Sequence, residues 1–351
     1  MISIAKLLNK LKSKVQAKTK SPKQLKATLL LERPSLSRLL SQADFKLVDI
    51  GARGGAMAQL KLLAPFSHYY ACEPDKEEAQ KLETEIQESS PWQGVTVFQE
   101  ALSSKEEEAT LHITKQPGLS SLLEPNYEVI NRYYRTDEWQ VEATVSVPTI
   151  SLDRAAARYG FEDACFLKLD TQGTELDILR SGEKLLQESV LGIYIEVEFH
   201  SLYKDQPLFA EVDTYLRNLG FSLFDLHRGL LRRKSYQDEL YSRRTCIFAH
   251  TLYLKEPDPL PDINREMKLK RLARLLGLAL AFEHYDLALE LISSQPLEIL
   301  DPKIATDEVI KELEELIRYQ TTYILKSNLG QRESNPMSFD YRDRLIKNKY
   351  R

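Results

Sequence analysis

The sequence predicts an α/β protein built on a mostly parallel sheet covered on both faces. Three observations carry that expectation. From residue 46 onward, short apolar strand-like runs alternate with helical patterns at the pitch of strand–helix–strand units. The first strand runs directly into a glycine cluster, Asp49-Ile-Gly51-Ala-Arg53-Gly54-Gly55. A proline-rich stretch, Glu256 to Pro261, ends the alternation and sets it apart from three purely helical patterns.

The elements follow in order. Residues 2–15 place Ile4, Leu7, Leu8, Leu11 and Val15 at helical spacing, with Lys6, Lys10, Lys12 and Lys14 mostly on the other faces. This basic amphipathic pattern suits either an anionic membrane surface or a solvated leader. A second helical segment, Leu25 to Leu40, leads into strand Lys46 to Ile50. Then come helix Ala56 to Leu63, strand Tyr69 to Cys72, helix Asp75 to Glu88 and strand Val95 to Gln99. Residues 109–150 interrupt the rhythm with two strands (Thr110 to Thr114, Val141 to Pro148), a Pro117-Gly118 loop and a Tyr/Arg-rich helical stretch, Tyr127 to Arg135. Helix Leu152 to Tyr159 restores it. Strand Phe166 to Asp170, helix Glu175 to Leu186, strand Leu191 to Glu198 and helix Leu208 to Leu219 follow. Strands Phe221 to Leu226 and Thr245 to Leu254 are joined by a charged segment with no helical pattern, so they should pair antiparallel. Helices are expected at 263–282, 284–294 and 306–325, before a polar end. The chain therefore divides into a basic helical leader (1–44), an α/β domain (45–256, with the insertion at 109–150) and a helical C-terminal extension (257–351).

Composition narrows the function classes. With 351 residues, 42% of them hydrophobic, the chain can bury a large core without staples. Its three cysteines, Cys72, Cys165 and Cys246, lie in separate apolar runs with no metal-ligand spacing. That argues against structural zinc and a disulfide framework, and fits a reducing, cytoplasmic compartment, with the leader's pattern adding peripheral contact with the membrane's inner face. The longest apolar run, Leu275 to Phe282, is too short to span a bilayer. Residues 1–30 hold eight lysines and no acid, whereas the remainder carries a net charge of −12. An acidic body argues against a nucleic-acid partner, which needs a basic face.

The glycine cluster sits where a first strand meets its crossover. Glycines let backbone approach a ligand closely there. A dinucleotide fingerprint would read Gly-x-Gly-x-x-Gly. This run instead has Asp49 two residues before Gly51, an acid suited to an amine-bearing ligand. At the end of the second strand, Glu73 can accept both hydroxyls of a ribose diol. Asp75 has an N-cap's position, with Glu78 at capping-box spacing. Glu100 and Ala101 close the third strand where a nucleotide base would lie. Asp170, Glu175, Glu196, Glu198 and His200 all map to the carboxyl ends of later strands, and a histidine tuned near neutrality is a natural base. The aromatic and basic residues of the insertion (Tyr127, Arg132, Tyr133, Tyr134, Arg135, Trp139), and the basic loop from Arg228 to Arg244, suit either an acceptor pocket or ordinary surface packing.

In order, the motifs are Asp-x-Gly-Ala-x-x-Gly, Glu73-Pro74, the strand ending Glu100-Ala101-Leu-Ser, Thr149-Ile-Ser-Leu-Asp153, and Phe166-Leu-Lys168-Leu-Asp170-Thr-Gln-Gly173-Thr-Glu175-Leu-Asp-Ile-Leu179. Together they make residues 45–255 resemble the FkbM family of S-adenosylmethionine-dependent O-methyltransferases. The resemblance implies a Rossmann-like class I methyltransferase fold: a seven-stranded sheet with an antiparallel last strand. It also implies S-adenosylmethionine as cofactor and a hydroxyl of a saccharide or glycoconjugate as acceptor. With the loop reading, the expected cofactor contacts are Asp49, Gly51, Arg53, Gly55, Glu73, Glu100 and Ala101. The expected catalytic set is Asp170, Glu175 and His200, and no metal is assigned. The chain departs from the family pattern at Arg53, usually Asn, and at Thr171-Gln172, usually Val-Glu. The competing reading is a non-catalytic module that keeps this fold and serves glycan assembly.

Overall fold

The computed structural model describes residues 28–88, 90–134, 136–235, 243–256, 264–294, 297–299 and 301–331. The helical pattern expected at 2–15 lies outside the described residues, as does the polar end from residue 332. Among the described residues, seven strands form the main sheet and three a small second one. The main sheet comprises β1 (Phe45–Ile50), β2 (Ser67–Cys72), β3 (Gly94–Phe98), β7 (Phe166–Leu169), β8 (Gly192–Glu198), β9 (Phe221–Leu231) and β10 (Thr245–Lys255). The second comprises β4 (Ala101–Leu102), β5 (Glu108–Thr114) and β6 (Val141–Ile150). The helices are α1 (Pro34–Ser41), α2 (Lys76–Glu88), α3 (Tyr127–Ile130), α4 (Leu152–Tyr159), α5 (Glu175–Arg180), α6 (Glu183–Glu188), α7 (Phe209–Asn218), α8 (Arg265–Ala281), α9 (Tyr285–Ser293) and α10 (Thr306–Gln331).

The main sheet runs β3-β2-β1-β7-β8-β10-β9, and β10 is antiparallel to both of its neighbours. The expected seven-stranded sheet with an antiparallel last strand is therefore present. The remaining pairs, β1–β2, β1–β7, β2–β3 and β7–β8, are parallel. Strand order reverses between β1 and β7, so successive crossovers leave in opposite directions and open a crevice at the strands' carboxyl ends. No helix in the described residues is long and apolar enough to cross a membrane.

Several local expectations are corrected. No α-helix forms over Ala56 to Leu63; the segment holds turns and a short 3-10 helix, Leu60–Leu62. The reason is that α8 occupies that side of the sheet. A Cβ on Gly277 would lie 2.3 Å from the Phe45 ring and 3.2 Å from Leu63, so α8 rests directly on β1 and on this segment. The helix expected over Leu25 to Leu40 breaks at Arg33, which is extended, and α1 restarts with Pro34 in its first turn. The single helix over Glu175 to Leu186 is two, α5 and α6. Gly182 separates them against Leu152, where a Cβ would approach to 2.4 Å, and Asp153 caps α6 through the Leu185 N–H at 3.0 Å. Among the described residues of the insertion only α3 is α-helical, and a 3-10 turn at Thr136–Trp139 follows it.

Two cores flank the sheet. One lies under α4 to α7, around Val48, Ile50, Leu167, Ile193 and Ile195. The other joins Phe45, Leu47, Phe166 and Leu254 of the strands to α1, α8, α9 and α10. Helix α8 is buried on nearly every side from Leu272 to Ala281, which fits its apolar sequence. Asn264 caps its start, accepting from Met267 N–H at 2.8 Å.

Asp163 fastens α8 to the sheet. It pairs with Lys46 of β1 at 2.6 Å and with Lys270 and Arg274 of α8 at 2.9 Å each. Burial alone would raise its pKa, but the three cations hold the carboxyl well below the ordinary value. Replacing it, Asp163→Ala, leaves the buried Arg274 without its carboxylate, at a cost of roughly 1–3 kcal/mol after discounting the carboxylate's partial exposure. The pH sign follows from the depressed pKa. The contribution is complete above the unfolded carboxyl's value near ~4 and is lost as acid protonates the folded form. Thermal melts from neutral to strongly acid pH should show wild type losing its advantage over Asp163→Ala only below about pH 4. A constant difference through that range would remove this account.

Candidate active site

The crevice at the carboxyl ends of β1, β2 and β7 holds a cavity of about 300 Å³. Its first wall is the turn after β1. Gly51 has φ +77°, and a Cβ there would lie 2.1 Å from the Asp170 carbonyl oxygen, so only glycine lets the first loop lie against the end of β7. Its second wall is the end of β2. Glu73, 4% exposed, lines the cavity, and its Oε1 accepts the Asp75 N–H at 3.0 Å. Burial pushes the Glu73 carboxyl up, against the Asp75 N–H and Arg53. Asp75 caps α2 as expected, accepting from Glu77 N–H at 3.0 Å. The capping box stays incomplete because the Asp75 N–H is already given to Glu73. Ile50, Ala101, Leu102, Leu111 and Ile113 supply an apolar floor, and Pro117, Gly118, Ser120, Ser121 and Leu122 of the insertion supply a roof.

At the end of β7 the chain turns through Asp170-Thr171-Gln172-Gly173. Gln172 has φ +60°, a left-handed conformation uncommon for a residue with a side chain. Six hydrogen bonds hold Gln172 and its turn. Its carbonyl accepts from Ser121 Oγ at 2.8 Å, and Glu175 accepts the Thr171 and Gly173 N–H groups at 2.7 and 2.9 Å. Its side-chain amide donates to Asp170 Oδ1 at 2.9 Å and to Glu196 Oε2, and its carbonyl oxygen accepts from the Tyr203 hydroxyl at 3.1 Å. Behind Gln172 lies a second cavity of about 370 Å³, lined by Gln172, Glu196, Glu198, Trp139, Leu202, Phe248 and neighbours. Burial, then the neighbouring carboxylates, push the Glu196 and Glu198 carboxyls well above the usual range. Among the described residues no group of three or more His, Cys, Asp or Glu could hold a metal ion.

The expected cofactor residues fall into two groups. Gly51, Arg53, Glu73 and Ala101 line the first cavity together with Asp170. Gly55, also at positive φ, shapes the turn against Leu82 and is not in the lining. The Asp49 side chain is 99% buried beneath the cavity, accepting from the Tyr69 hydroxyl at 2.7 Å and pairing with Lys168 at 3.0 Å. Glu100 turns away and is held by Arg158 and Tyr159 at 2.7 and 2.6 Å. Arg53 reaches Asp75 at 2.6 Å, on the β2 side of the cavity. Of the expected catalytic residues, Asp170 lines the first cavity, while Glu175 is buried as the loop's fastener. His200 lines neither cavity; it sits edge-on to Tyr133, with centroids 6.1 Å apart. Burial, then Arg233 and Arg132, lower its pKa.

Gln172, a departure from the family pattern, is the residue shared by both cavities. A readable signal was the pair of acids on the otherwise apolar strand β8. Lys168 also gains a definite task. Its ammonium donates to the Gly51 carbonyl at 2.6 Å and lies between Asp49 and Asp170. Burial opposes charge on Lys168, but those carboxylates outweigh it and raise the pKa. The aromatic insertion is largely packed: Tyr133, Trp139 and Ile130 form a cluster with Leu202, Tyr203 and Ile247.

Residues 49–223 match the methyltransferase FkbM domain. A curated relative, the 2-O-methyltransferase NoeI of Sinorhizobium fredii (strain NBRC 101917 / NGR234), is 26% identical over 180 residues, covering 50% of this chain and 72% of the relative. Among solved structures, a magnesium protoporphyrin IX methyltransferase of Synechocystis PCC 6803 with bound SAM aligns at 9% identity and a TM-score of 0.31, over 68% of this chain and 86% of that one. A putative tRNA methyltransferase of Streptococcus pneumoniae in complex with S-adenosyl-L-methionine aligns at 11% identity and a TM-score of 0.31, over 81% and 98%. The fold assignment rests on the strand order above rather than on these alignments.

Proposed function

We propose, from the premise that residues 49–223 are an FkbM methyltransferase domain and the chain an S-adenosylmethionine-dependent methyltransferase, that it methylates a hydroxyl of a saccharide or glycoconjugate. One observation carries the reading. The Gly51 turn, the Glu73 carboxyl and an apolar floor surround one cavity at the point where strand order reverses, and a second cavity adjoins it.

The residues present fit the donor. The close approach of the Gly51 turn to Asp170 leaves backbone, not side chain, facing the cavity. Glu73 is positioned to accept from a ribose diol, and Ala101 with Leu102 offers a flat apolar seat for a base. The donor supplies an activated methyl group on a sulfonium, so the protein's task is to align an acceptor oxygen and to take its proton. Asp170 stands at the junction, with Gln172 holding its Oδ1. Trp139 and Phe248 in the second cavity suit the apolar face of a sugar ring. The relative's name, a 2-O-methyltransferase, supports an oxygen acceptor.

Calorimetry with S-adenosylmethionine and S-adenosylhomocysteine tests the cavity. Glu73→Ala should weaken both by about 1.5–3 kcal/mol, the value of a hydrogen bond to a charged group. Unchanged affinity in that variant would remove Glu73 from the site, and absence of binding by wild type would remove the reading itself. Mass spectrometry of cell glycans, with and without the gene, should show a loss of one methyl group per modified unit.

A further inference from the structure

We infer that the cavity behind Gln172 is the acceptor subsite, that it takes an uncharged saccharide ring rather than a hexuronate or other acidic sugar, and that Glu196 receives the hydroxyl proton. This rests on the methyltransferase reading above and goes beyond it in naming the charge class of the acceptor and the proton's destination.

Position comes first. Gln172 lines both cavities, so the second chamber is reached directly from the end of the donor cavity beside Asp170. Glu196, 7% exposed, and Glu198, 3% exposed, project from the same face of β8 and line that chamber. Among the described residues, the chamber's lining carries no Lys or Arg, so an anionic ring in its nearly dry wall would be left without a cation, whereas a neutral ring can hydrogen-bond the two carboxyls. The chamber also offers flat apolar surface. Trp139, 6% exposed, is part of its lining. Phe248 and Leu202 complete the apolar part.

The choice of Glu196 follows from its neighbours. It faces Lys168 of β7 and Asp170 just beyond that strand, Glu175 of α5, Glu198 of its own strand, and His250 of β10, whose Nε2 lies 3.9 Å from Oε1. Burial and Lys168 lower the pKa of His250, while Asp170 opposes them. The Gln172 amide holds Oε2, and Oε1 lies on the His250 side, 3.9 Å from Nε2. In the transfer, the acceptor oxygen forms its bond to the methyl carbon, the electron pair of the broken sulfur–methyl bond stays on sulfur, and the hydroxyl proton passes to the Glu196 carboxylate. Burial, and then the like charges around Glu196, make it a stronger base than a free carboxylate once ionised.

The experiment uses the full chain with saturating S-adenosylhomocysteine. Saturation-transfer NMR is recorded with methyl glycosides of neutral hexoses, deoxyhexoses and N-acetylhexosamines, and with the corresponding hexuronates. Neutral glycosides should receive saturation, hexuronates should not, and Leu230→Trp should abolish the signal by filling the chamber from a position 37% exposed. For a glycoside that binds, transfer of labelled methyl should fall by roughly 10²–10⁴-fold in Glu196→Gln, with S-adenosylhomocysteine affinity unchanged. In Glu198→Gln one like charge is gone, so the Glu196 pKa falls and the rising limb of the rate–pH profile moves to lower pH. Hexuronates binding as well as neutral glycosides would overturn the charge assignment. Signals that survive Leu230→Trp, or no glycoside signal from a protein that binds S-adenosylhomocysteine, would overturn the chamber while leaving the methyltransferase reading intact. A Glu196→Gln enzyme of normal rate would overturn the proton's destination. Failure to bind S-adenosylhomocysteine at all would sink the underlying reading, and this subsite with it.

Discussion

A chain ending at Glu256 is expected to form inclusion bodies and to show no cooperative melt, although it retains every strand of the main sheet. Helix α8 buries Leu269, Leu272, Leu275, Leu276, Leu278 and Leu280, against β1, β7, β10 and the segment after β1. Burying one leucine side chain is worth roughly 1.5–3 kcal/mol. Six of them approach or exceed the ~5–15 kcal/mol by which a whole protein is stable. Without α8, the sheet face carrying Phe45, Leu47, Phe166 and Leu254 would be open to water, a patch that invites aggregation. The local segment that covers this face in many strand–helix–strand units, here Ala56 to Leu63, forms only turns and a short 3-10 helix and offers no substitute. Solubility, circular dichroism and S-adenosylhomocysteine binding of the two chains check this. A truncated protein that melts cooperatively and binds would show that α8 is dispensable.

Lys168→Met is expected to cost about 3–5 kcal/mol, because it leaves the buried Asp49 carboxylate without its cation. Asp49 is 1% exposed and would retain only the Tyr69 hydroxyl. The same change removes the donor to the Gly51 carbonyl, so the first loop loses its tie to β7. S-adenosylhomocysteine affinity should therefore fall by about tenfold, near the value of one hydrogen bond to a charged group. The double variant Asp49→Asn/Lys168→Met removes both charges. It should recover part of the stability but none of the affinity, since only the buried charge is relieved and the loop stays untied. Denaturant melts and calorimetry of the three variants test the pair. A single variant as stable as wild type would show that Lys168 is an ordinary strand residue.

These two cases show why the site was only half legible in the sequence. The glycine turn and the acid at the end of β2 could be read, because each depends on residues adjacent in the chain: Gly51 with its φ +77°, and Glu73 beside the N–H of Asp75. Asp49 has the same motif character, yet Tyr69 and Lys168, brought in by the parallel neighbours β2 and β7, take its carboxylate. Glu100 is drawn off in the same way by Arg158 and Tyr159 on the next crossover helix. Glu175 matched its motif and became the fastener of the Gln172 turn. His200 lay at a strand end as expected, but the insertion's Tyr133 holds it beside a packed cluster rather than in a cavity.

The succession of the main-sheet strands, the antiparallel last strand and the glycine turn that opens the site were legible in local pattern. These follow from periodicity, from connection length and from the one residue type that tolerates a left-handed turn against a neighbouring backbone. Tertiary structure alone decided which carboxylates face a cavity, that Gln172 joins two chambers, and that a helix more than two hundred residues downstream of β1 covers its face. The physical reason is that a carboxylate's availability and an apolar face's cover depend on partners brought close only by packing, and local pattern carries no record of them.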